Sequence, residues 1–353
     1  MNALTLYAGT EALARIRRDG FDPGLFSHVG AAAGGPKWLV LSRLDRAVFG
    51  EWQAQRRTPL IAVGASIGAW RLACLAQRDP LAALARFETA YLGQRYSERP
   101  DLAEVTAEAR RLLDVLLGDT GADEIVASRR MALNVIVARR VHGRDTGWGE
   151  KAALARMVFA NARSRRALGG HLHRHILHAG EPVHYRDDGI PTGHAPLAAG
   201  NVAAALMATA AIPGVIAPVH DLPGLPAGAC YDGGLIDYHM DLPLAEPPGL
   251  MLLPHFSGRV VTGWLDQFLP WRKPQHLDRT LLLVPSQDWI ARLPGGRIPS
   301  RTDFKRFHGR DAERIQTWQT ALSAGDWLAD EFRGLVESGR IIDAIQPLPG
   351  RHR

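Results

Sequence analysis

The stretch Ile61–Trp70, IAVGASIGAW, places Ser66 between Gly64 and Gly68. An apolar run typical of a buried strand precedes the serine, and a run that favours a helix follows it. G-x-S-x-G between a strand and a helix is typical of a strained turn that lifts the serine hydroxyl clear of a sheet. The two glycines fit because such a turn leaves little room for Cβ atoms. The pattern predicts a nucleophile at Ser66, and the competing interpretation is an incidental serine in a chain rich in glycine and alanine.

Composition and cysteine content indicate the class of protein. The chain of 353 residues is 46% hydrophobic and 22% charged, which is ordinary for a soluble globular enzyme. No apolar run reaches the roughly 18 residues needed to span a bilayer, and the N-terminal residues lack the pattern of a signal peptide. The two cysteines, Cys74 and Cys230, are far apart in apolar contexts, so we expect neither a disulfide framework nor a thiolate metal site. A cytoplasmic protein is expected.

The excess of basic over acidic residues does not by itself predict a binding partner. The formal net charge of +6 comes mostly from arginines, because lysine occurs only four times. The arginines are scattered along the chain and form no continuous basic stripe. No nucleic-acid partner is therefore expected.

A histidine-rich stretch, HLHRHILH at residues 171–178, is a candidate metal site. On a helix, His171, His175 and His178 would share one face. No carboxylate or cysteine completes the set at a recognised spacing. We therefore expect a helix here and no bound metal.

The order of predicted elements favours an α/β fold. Short apolar runs alternate with helical patterns in the first third of the chain, which is typical of βαβ units and a mostly parallel sheet. Strands are predicted over 26–30, 60–63 and 131–138. Helices are predicted over 38–44, 67–77, 81–117 with a break near Pro100, 201–211 with Asn201 as its N-cap, and 310–336.

A second glycine-marked stretch, Gly34-Gly35-Pro36-Lys37, follows the first of these strands. A glycine-rich loop that leaves a strand exposes backbone N–H groups, which can stabilise an oxyanion. Pro36 has no N–H, so the donors would be Gly34, Gly35 or their neighbours. A phosphate-binding loop or a plain turn is the alternative interpretation.

A serine nucleophile also needs a base, and among 14 histidines and many carboxylates the spacing does not select one. Asp232 stands out as a candidate in Tyr231-Asp232-Gly233-Gly234. An Asp-Gly-Gly sequence by itself is most often a turn. Asp237 is a second candidate five residues further along the chain.

Taken together, the three glycine-marked sites resemble the patatin-like phospholipase family, and they occur in that family's order. The resemblance covers roughly residues 24–245 and includes the stretch 208–219, which is similar to the family's alanine-rich helix and Ile-Pro turn. It implies a three-layer α/β/α sandwich with a mostly parallel central sheet. It also implies a serine acyl hydrolase that needs neither metal nor organic cofactor.

The same resemblance implies a role for each motif residue. Ser66 is the nucleophile and Asp232 the base of a Ser–Asp dyad. Gly34 and Gly35 form the oxyanion hole, and Lys37 corresponds to the family's basic residue beside that loop. Gly64, Gly68, Gly233 and Gly234 support the motifs. The sequence departs from the family pattern because Ala33 replaces the first glycine and Lys37 replaces arginine.

The C-terminal part of the chain differs in composition, with more prolines and tryptophans. We predict a catalytic core over 1–245 and a helical extension over 246–353 that packs on the core or partly covers the site. Within it, 260–273, VVTGWLDQFLPWRK, combines aromatic and basic residues. Such a segment suits a lid, a peripheral contact with a membrane surface, or a core-facing helix.

The predicted activity is hydrolysis of carboxylic esters of acyl lipids, either phospholipids or lysophospholipids. One alternative is an α/β-hydrolase with a Ser-His-Asp triad, in which Asp232 would act with His255, His276 or His308. The other alternative is a non-catalytic scaffold that binds lipid or a partner protein through its C-terminal region.

Overall fold

A computed structural model describes residues 2–142, 148–245 and 249–349 of the chain. The strands are β1 (Leu4–Ala8), β2 (Phe26–Ala31), β3 (Leu60–Gly64), β4 (Met131–Arg140), β5 (Leu172–His178), β6 (Thr192–Pro196), β7 (Val219–His220), β8 (Ala229–Asp232), β9 (Leu250–Pro254), β10 (Thr280–Pro285) and β11 (Ile345–Pro347). The α-helices are α1 (Thr10–Asp19), α2 (Ser42–Asp45), α3 (Ile67–Ala76), α4 (Pro80–Leu92), α5 (Leu102–Leu117), α6 (Gly121–Val126), α7 (Trp148–Arg163), α8 (Arg165–Gly169), α9 (Ala199–Thr209), α10 (Gln287–Ala291), α11 (Thr302–Arg306), α12 (Asp311–Glu337) and α13 (Ile341–Ala344).

One mixed sheet organises the molecule, in the order β11-β1-β10-β9-β2-β3-β4-β5-β6. Its centre, from β10 through β9, β2, β3 and β4, is parallel. The strands β1 and β5 run antiparallel to their central neighbours. The sequence-based prediction of a mostly parallel central sheet is confirmed.

Alternate residues of the central strands enter two separate cores, which places packed layers on both faces of the sheet. Leu60 and Ala62 of β3 belong to a core with residues of α2 to α5, α9 and α12. Ile61 and Val63 belong to a second core on the other face of the sheet, together with buried residues between 240 and 284. On that second face, α7 and α8 also pack against β4 through Ala138. Strands buried on both faces appear as continuous apolar runs in the sequence, and the three-layer α/β/α arrangement follows.

The prediction of a helix over the histidine-rich stretch is wrong, because residues 172–178 form strand β5. This strand pairs along its whole length with β4. Side chains on both faces of this strand are buried: Leu172, Arg174 and Ile176 on one face, and His175 and Leu177 on the other. A spacing of two places residues on the same face of a strand.

Two helix starts also differ from the sequence-based prediction. The helix expected at Asn201 begins two residues earlier, because the Asn201 side chain accepts a hydrogen bond from the Ala198 N–H at 2.8 Å. Asn201 is thus the third residue of α9 and not its N-cap. The helix expected over 38–44 is a 3-10 helix, Gly35–Leu41, that continues into α2.

The C-terminal segment contributes strands as well as helices. Strand β9 lies between β2 and β10, and the predicted helix over 310–336 is confirmed as α12. The boundary predicted after residue 245 falls at 246–248, which lie outside the described residues. The division into two domains stays a prediction.

The aromatic segment 260–273 contains a short 3-10 helix, Trp264–Phe268, which packs against α7. Leu265 is buried, whereas Phe268 and Trp271 are 68% and 66% exposed. An interfacial role for this segment stays a prediction. In the described part of the chain, no helix is both long and apolar enough to cross a membrane.

Candidate active site

Ser66 lies on the tight turn between β3 and α3, as its motif predicts. Its φ is 55° and its ψ is −136°, a left-handed conformation that is uncommon for a residue with a side chain. The Ser66 N–H donates to the Thr209 hydroxyl at 2.9 Å, and that hydroxyl donates to the Ile136 carbonyl at 2.5 Å. A buried threonine therefore ties the strained turn to β4 and to the end of α9.

Gly68 allows the turn to pack against the neighbouring strand. A Cβ at this position would lie 2.0 Å from the carbonyl oxygen of Ala31, at the end of β2. No side chain fits at such a distance, so only glycine permits this approach. The same close contact brings α3 next to the residues that begin the glycine-rich loop.

Asp232 is brought to Ser66 by the pairing of β4. Strand β3 pairs with one edge of β4 and ends at the pair Gly64–Val135. Strand β8 runs in the opposite direction along the same edge and ends at the pair Asp232–Val137. Strands β3 and β8 thus approach each other end to end along β4. Because Ser66 is two residues beyond the end of β3, its side chain and that of Asp232 meet.

The Asp232 carboxylate is buried and hydrogen-bonded. It accepts a hydrogen bond from the Gly234 N–H at 2.7 Å, and the Ser66 side chain lies close enough to affect its pKa. Burial raises the pKa of Asp232 to about 6, while the positive charge of Arg301, the Ser66 side chain and the Gly234 N–H each lower this pKa. A carboxyl group with this pKa is largely ionised at neutral pH and can still accept a proton.

Asp237, the rival carboxylate, lies in a different environment. It forms a buried ion pair with Arg174 at 2.6 Å, and Arg174 also pairs with Asp188 at 2.9 Å. The carboxylate of Asp237 is therefore committed to a buried ion-pair network. Its place in the fold does not favour a role as the base.

The glycine-rich loop lies beside Ser66 and contacts the Asp-Gly-Gly turn. Gly35 has a φ of +57°, and a Cβ on Gly234 would lie 2.9 Å from that of Ala33. Within the described residues, the N–H groups of Gly34 and Gly35 donate to no protein acceptor. Two N–H donors are thus free for a ligand atom next to Ser66.

Lys37 does not line the cavity that contains Ser66. Its ammonium lies 4.5 Å from the centroid of the Phe256 ring. Burial and the charge of Arg301 lower the pKa of Lys37. The predicted part of Lys37 in an oxyanion hole stays a prediction, whereas its observed contact holds Phe256 against the loop.

A largely apolar cavity of about 620 Å³ opens above Ser66, which is within the size range of small-molecule sites. Gly35, Pro36 and Ser66 line its inner end. Helix α5 and the segment after α9 supply much of its apolar wall, with Leu102, Val105, Ala109, Leu112, Ile212, Val215 and Ile216. None of the residues 260–273 lines it.

The three histidines considered for a triad lie in different places. His308 lines the cavity, but its Nε2 atom is hydrogen-bonded to the Glu98 carbonyl at 2.8 Å. His255 is buried, and burial lowers its pKa to about 3. His276 lines a separate, polar pocket. Of the three, only His308 lines the cavity with Ser66.

Sequence reasoning missed two residues of the site, Thr209 and Arg301. Thr209 supports the Ser66 turn, and its position at the end of an alanine-rich helix gave no chemical signal. Arg301 lines the cavity beside Gly35, 66 residues or more from every motif. A prediction of Arg301 would require the packing of the C-terminal segment.

The fold and the site define an α/β protein with a strained serine turn between a central strand and a helix. A model of the patatin-like phospholipase family matches residues 25–240, so the chain belongs to this family. Lipid acyl hydrolysis is the general activity associated with that family. Comparison with curated proteins and with solved structures gave no match.

Proposed function

We propose that the protein hydrolyses carboxylic esters of acyl lipids through a dyad formed by Ser66 and Asp232. The observation that carries this proposal is the contact between the strained Ser66 and the buried Asp232 carboxylate at the inner end of an apolar cavity. The two N–H groups without protein acceptors, those of Gly34 and Gly35, supply the third requirement of acyl transfer.

In the first half of the reaction, the Ser66 Oγ attacks the ester carbonyl carbon while Asp232 takes the hydroxyl proton. Negative charge develops on the carbonyl oxygen, and the N–H groups of Gly34 and Gly35 stabilise it. The carbon–oxygen bond to the alcohol then breaks, and Asp232 returns its proton to the leaving oxygen. An acyl ester of Ser66 remains.

In the second half, water attacks the acyl carbon of the ester on Ser66. Asp232 accepts a proton from this water, and the bond to the Ser66 oxygen breaks as that oxygen regains a proton. The fatty acid leaves, and the enzyme is restored. Each step uses side chains and backbone groups of the chain, so the mechanism requires no metal or organic cofactor.

The apolar wall of the cavity supports an acyl chain as the group bound beside Ser66. Residues of α5 and of the segment 212–216 offer hydrocarbon surface that a fatty acyl chain can cover. Burial of each methylene group contributes about 0.8 kcal/mol. Together with membership of the patatin-like phospholipase family, this wall supports phospholipids or lysophospholipids as the proposed substrate class.

A fluorophosphonate probe with ester assays tests the assignment. We expect labelling of Ser66 in the parent, and loss of labelling and of ester turnover by at least about a thousandfold in Ser66→Ala. Asp232→Asn keeps the shape of the carboxyl group but cannot accept the proton, so we expect a loss of about 10²–10⁴-fold. Ser97→Ala is the matched control, because Ser97 lines the same cavity and its hydroxyl donates to Glu104 at 2.6 Å. Labelling of a serine other than Ser66 would contradict the proposal.

Two further measurements separate the alternatives. His308→Ala should keep ester turnover within about threefold, whereas a triad that uses His308 would lose as much as Ser66→Ala. A non-catalytic scaffold would show no ester turnover in the parent and lipid binding that persists in Ser66→Ala.

A further inference from the structure

Arg301 is an exposed residue whose side chain lies against the oxyanion loop and lines the cavity of Ser66. A Cβ on Gly35 would be 2.8 Å from the Arg301 Nε atom and 3.1 Å from its Cγ atom. The positive charge of Arg301 also lowers the pKa of Asp232. A guanidinium group is therefore next to the position where the ester would bind.

A buried carboxylate fixes the turn that carries Arg301. Asp303 is 1% exposed and accepts hydrogen bonds from the Ser300 N–H at 2.9 Å and from the Trp318 indole N–H at 3.0 Å. It also forms an ion pair with Arg297. Helix α12, which carries Trp318, thus holds the backbone turn that carries Arg301 in place, and a fixed backbone reduces the cost of ordering this residue on a ligand.

Arg301 has no carboxylate partner among the described residues. Three acidic residues line the same cavity, and two of them are engaged: Asp101 caps α5 at 2.8 Å, and Asp311 pairs with Arg314 at 3.3 Å. The third is Glu98, and the basic residue Lys305 lines the same cavity. This leaves the Arg301 guanidinium free to pair with an anion from outside the chain.

We propose that Arg301 binds the phosphate of the substrate's headgroup and makes the enzyme selective for phosphate-bearing acyl lipids over neutral ones. This inference rests on the proposed function and adds to it the residue that recognises the phosphate. A guanidinium suits a phosphate because its N–H groups form paired hydrogen bonds with phosphate oxygens. The acyl chain would follow the apolar wall, and the headgroup would lie towards Arg301.

A matched substrate pair tests the proposal: 1-octanoylglycerol and 1-octanoylglycerol 3-phosphate, which differ only by the phosphate. For the phosphate-bearing ester, Arg301→Gln should lower kcat/KM by about ten- to hundredfold, because hydrogen bonds to charged groups are strong. The loss should appear mainly as a higher KM. For the neutral ester, kcat/KM measured on the pH plateau of each protein should stay within about twofold of the parent, because the shift in the pKa of Asp232 then no longer affects the comparison.

Two variants serve as controls. Arg301→Lys keeps the charge without the paired geometry, so we expect an intermediate loss. Arg306→Gln removes an exposed arginine of α11 that does not line the cavity, and it should leave both substrates unchanged. Equal losses on both substrates in Arg301→Gln would assign Arg301 to oxyanion stabilisation or to structure and would overturn the proposal. No loss on either substrate would also overturn it.

Inhibition distinguishes a lipid headgroup from free phosphate. Octyl phosphate should inhibit hydrolysis of the neutral ester competitively in the parent and at least about tenfold more weakly in Arg301→Gln. Inorganic phosphate should inhibit far less, and equal inhibition by both compounds would overturn a headgroup site. Absence of turnover of both esters would contradict the proposed function alone, because binding of octyl phosphate to Ser66→Ala still tests Arg301.

Discussion

Burial and neighbouring groups set the protonation state of Asp232, and this determines how activity should depend on pH. Because only the carboxylate form can accept the Ser66 proton, kcat/KM for a neutral ester should rise with pH through the pKa of about 6 and then level off. Below pH 6 we expect a tenfold fall per pH unit. Assays between pH 4.5 and 8 measure this limb of the profile.

A variant of Arg301 gives that pH profile a control. The charge of Arg301 lowers the pKa of Asp232, so Arg301→Gln should move the rising limb to higher pH. Arg306→Gln should leave it in place. A limb that disappears in His308→Ala would instead identify a histidine as the base and contradict the assignment of Asp232.

At the scale of residues, the sequence predicted the groups that short motifs specify. Ser66 and Asp232 could be found because strand–turn–helix and Asp-Gly-Gly patterns are local, and the structure brings these two residues together. Lys37 matched a motif in sequence, yet its side chain packs on Phe256. Arg301 and Thr209 could not be found, since their roles depend on contacts with distant segments.

The fit between α3 and β2 is a property of two packed elements, and Gly68 allows it. Gly68→Ala should lower the free energy of unfolding by about 1–3 kcal/mol or more, because its Cβ would lie 2.0 Å from the Ala31 carbonyl oxygen. Activity should fall as well, since the displaced helix carries the Ser66 turn. Urea unfolding and ester turnover measure the two effects.

Gly334→Ala is the matched control for Gly68→Ala. Both glycines lie in helices without a positive φ, but a Cβ at Gly334 would meet no atom within 4 Å. Alanine is favoured over glycine in a helix by about 1 kcal/mol. The control should therefore be slightly more stable than the parent, and an equal loss in both variants would contradict the packing argument.

The sequence predicted most elements because an apolar run or a helical period repeats within each of them. Strand β3 and helix α12 are examples. The stretch 171–178 was assigned to a helix because its histidines also fit a helical spacing. Pairing with β4 and burial of Arg174 beside Asp237 decide for the strand, and neither contact is visible in the local sequence.

At the scale of the whole molecule, the order of strands joins distant parts of the chain. Strand β9, from the C-terminal segment, lies between β10 and β2, and Arg301 comes from the same segment. Local patterns in a sequence do not specify which strands are neighbours. Strands β9 and β10 of the C-terminal segment form part of the sheet beside the motif-bearing strands, which the local sequence does not indicate.

The same topology predicts how residues 1–245 behave alone. Leu250, Leu252 and Trp318 are 0% exposed, and loss of each fully buried apolar side chain removes about 1.5–3 kcal/mol. A few such losses exceed the total stability of a typical domain, about 5–15 kcal/mol. The fragment 1–245 should therefore show no cooperative urea transition and no fluorophosphonate labelling of Ser66, whereas a chain ended after residue 349 should match the parent in both. Cooperative unfolding of 1–245 with labelling retained would instead establish the predicted core as an independent domain.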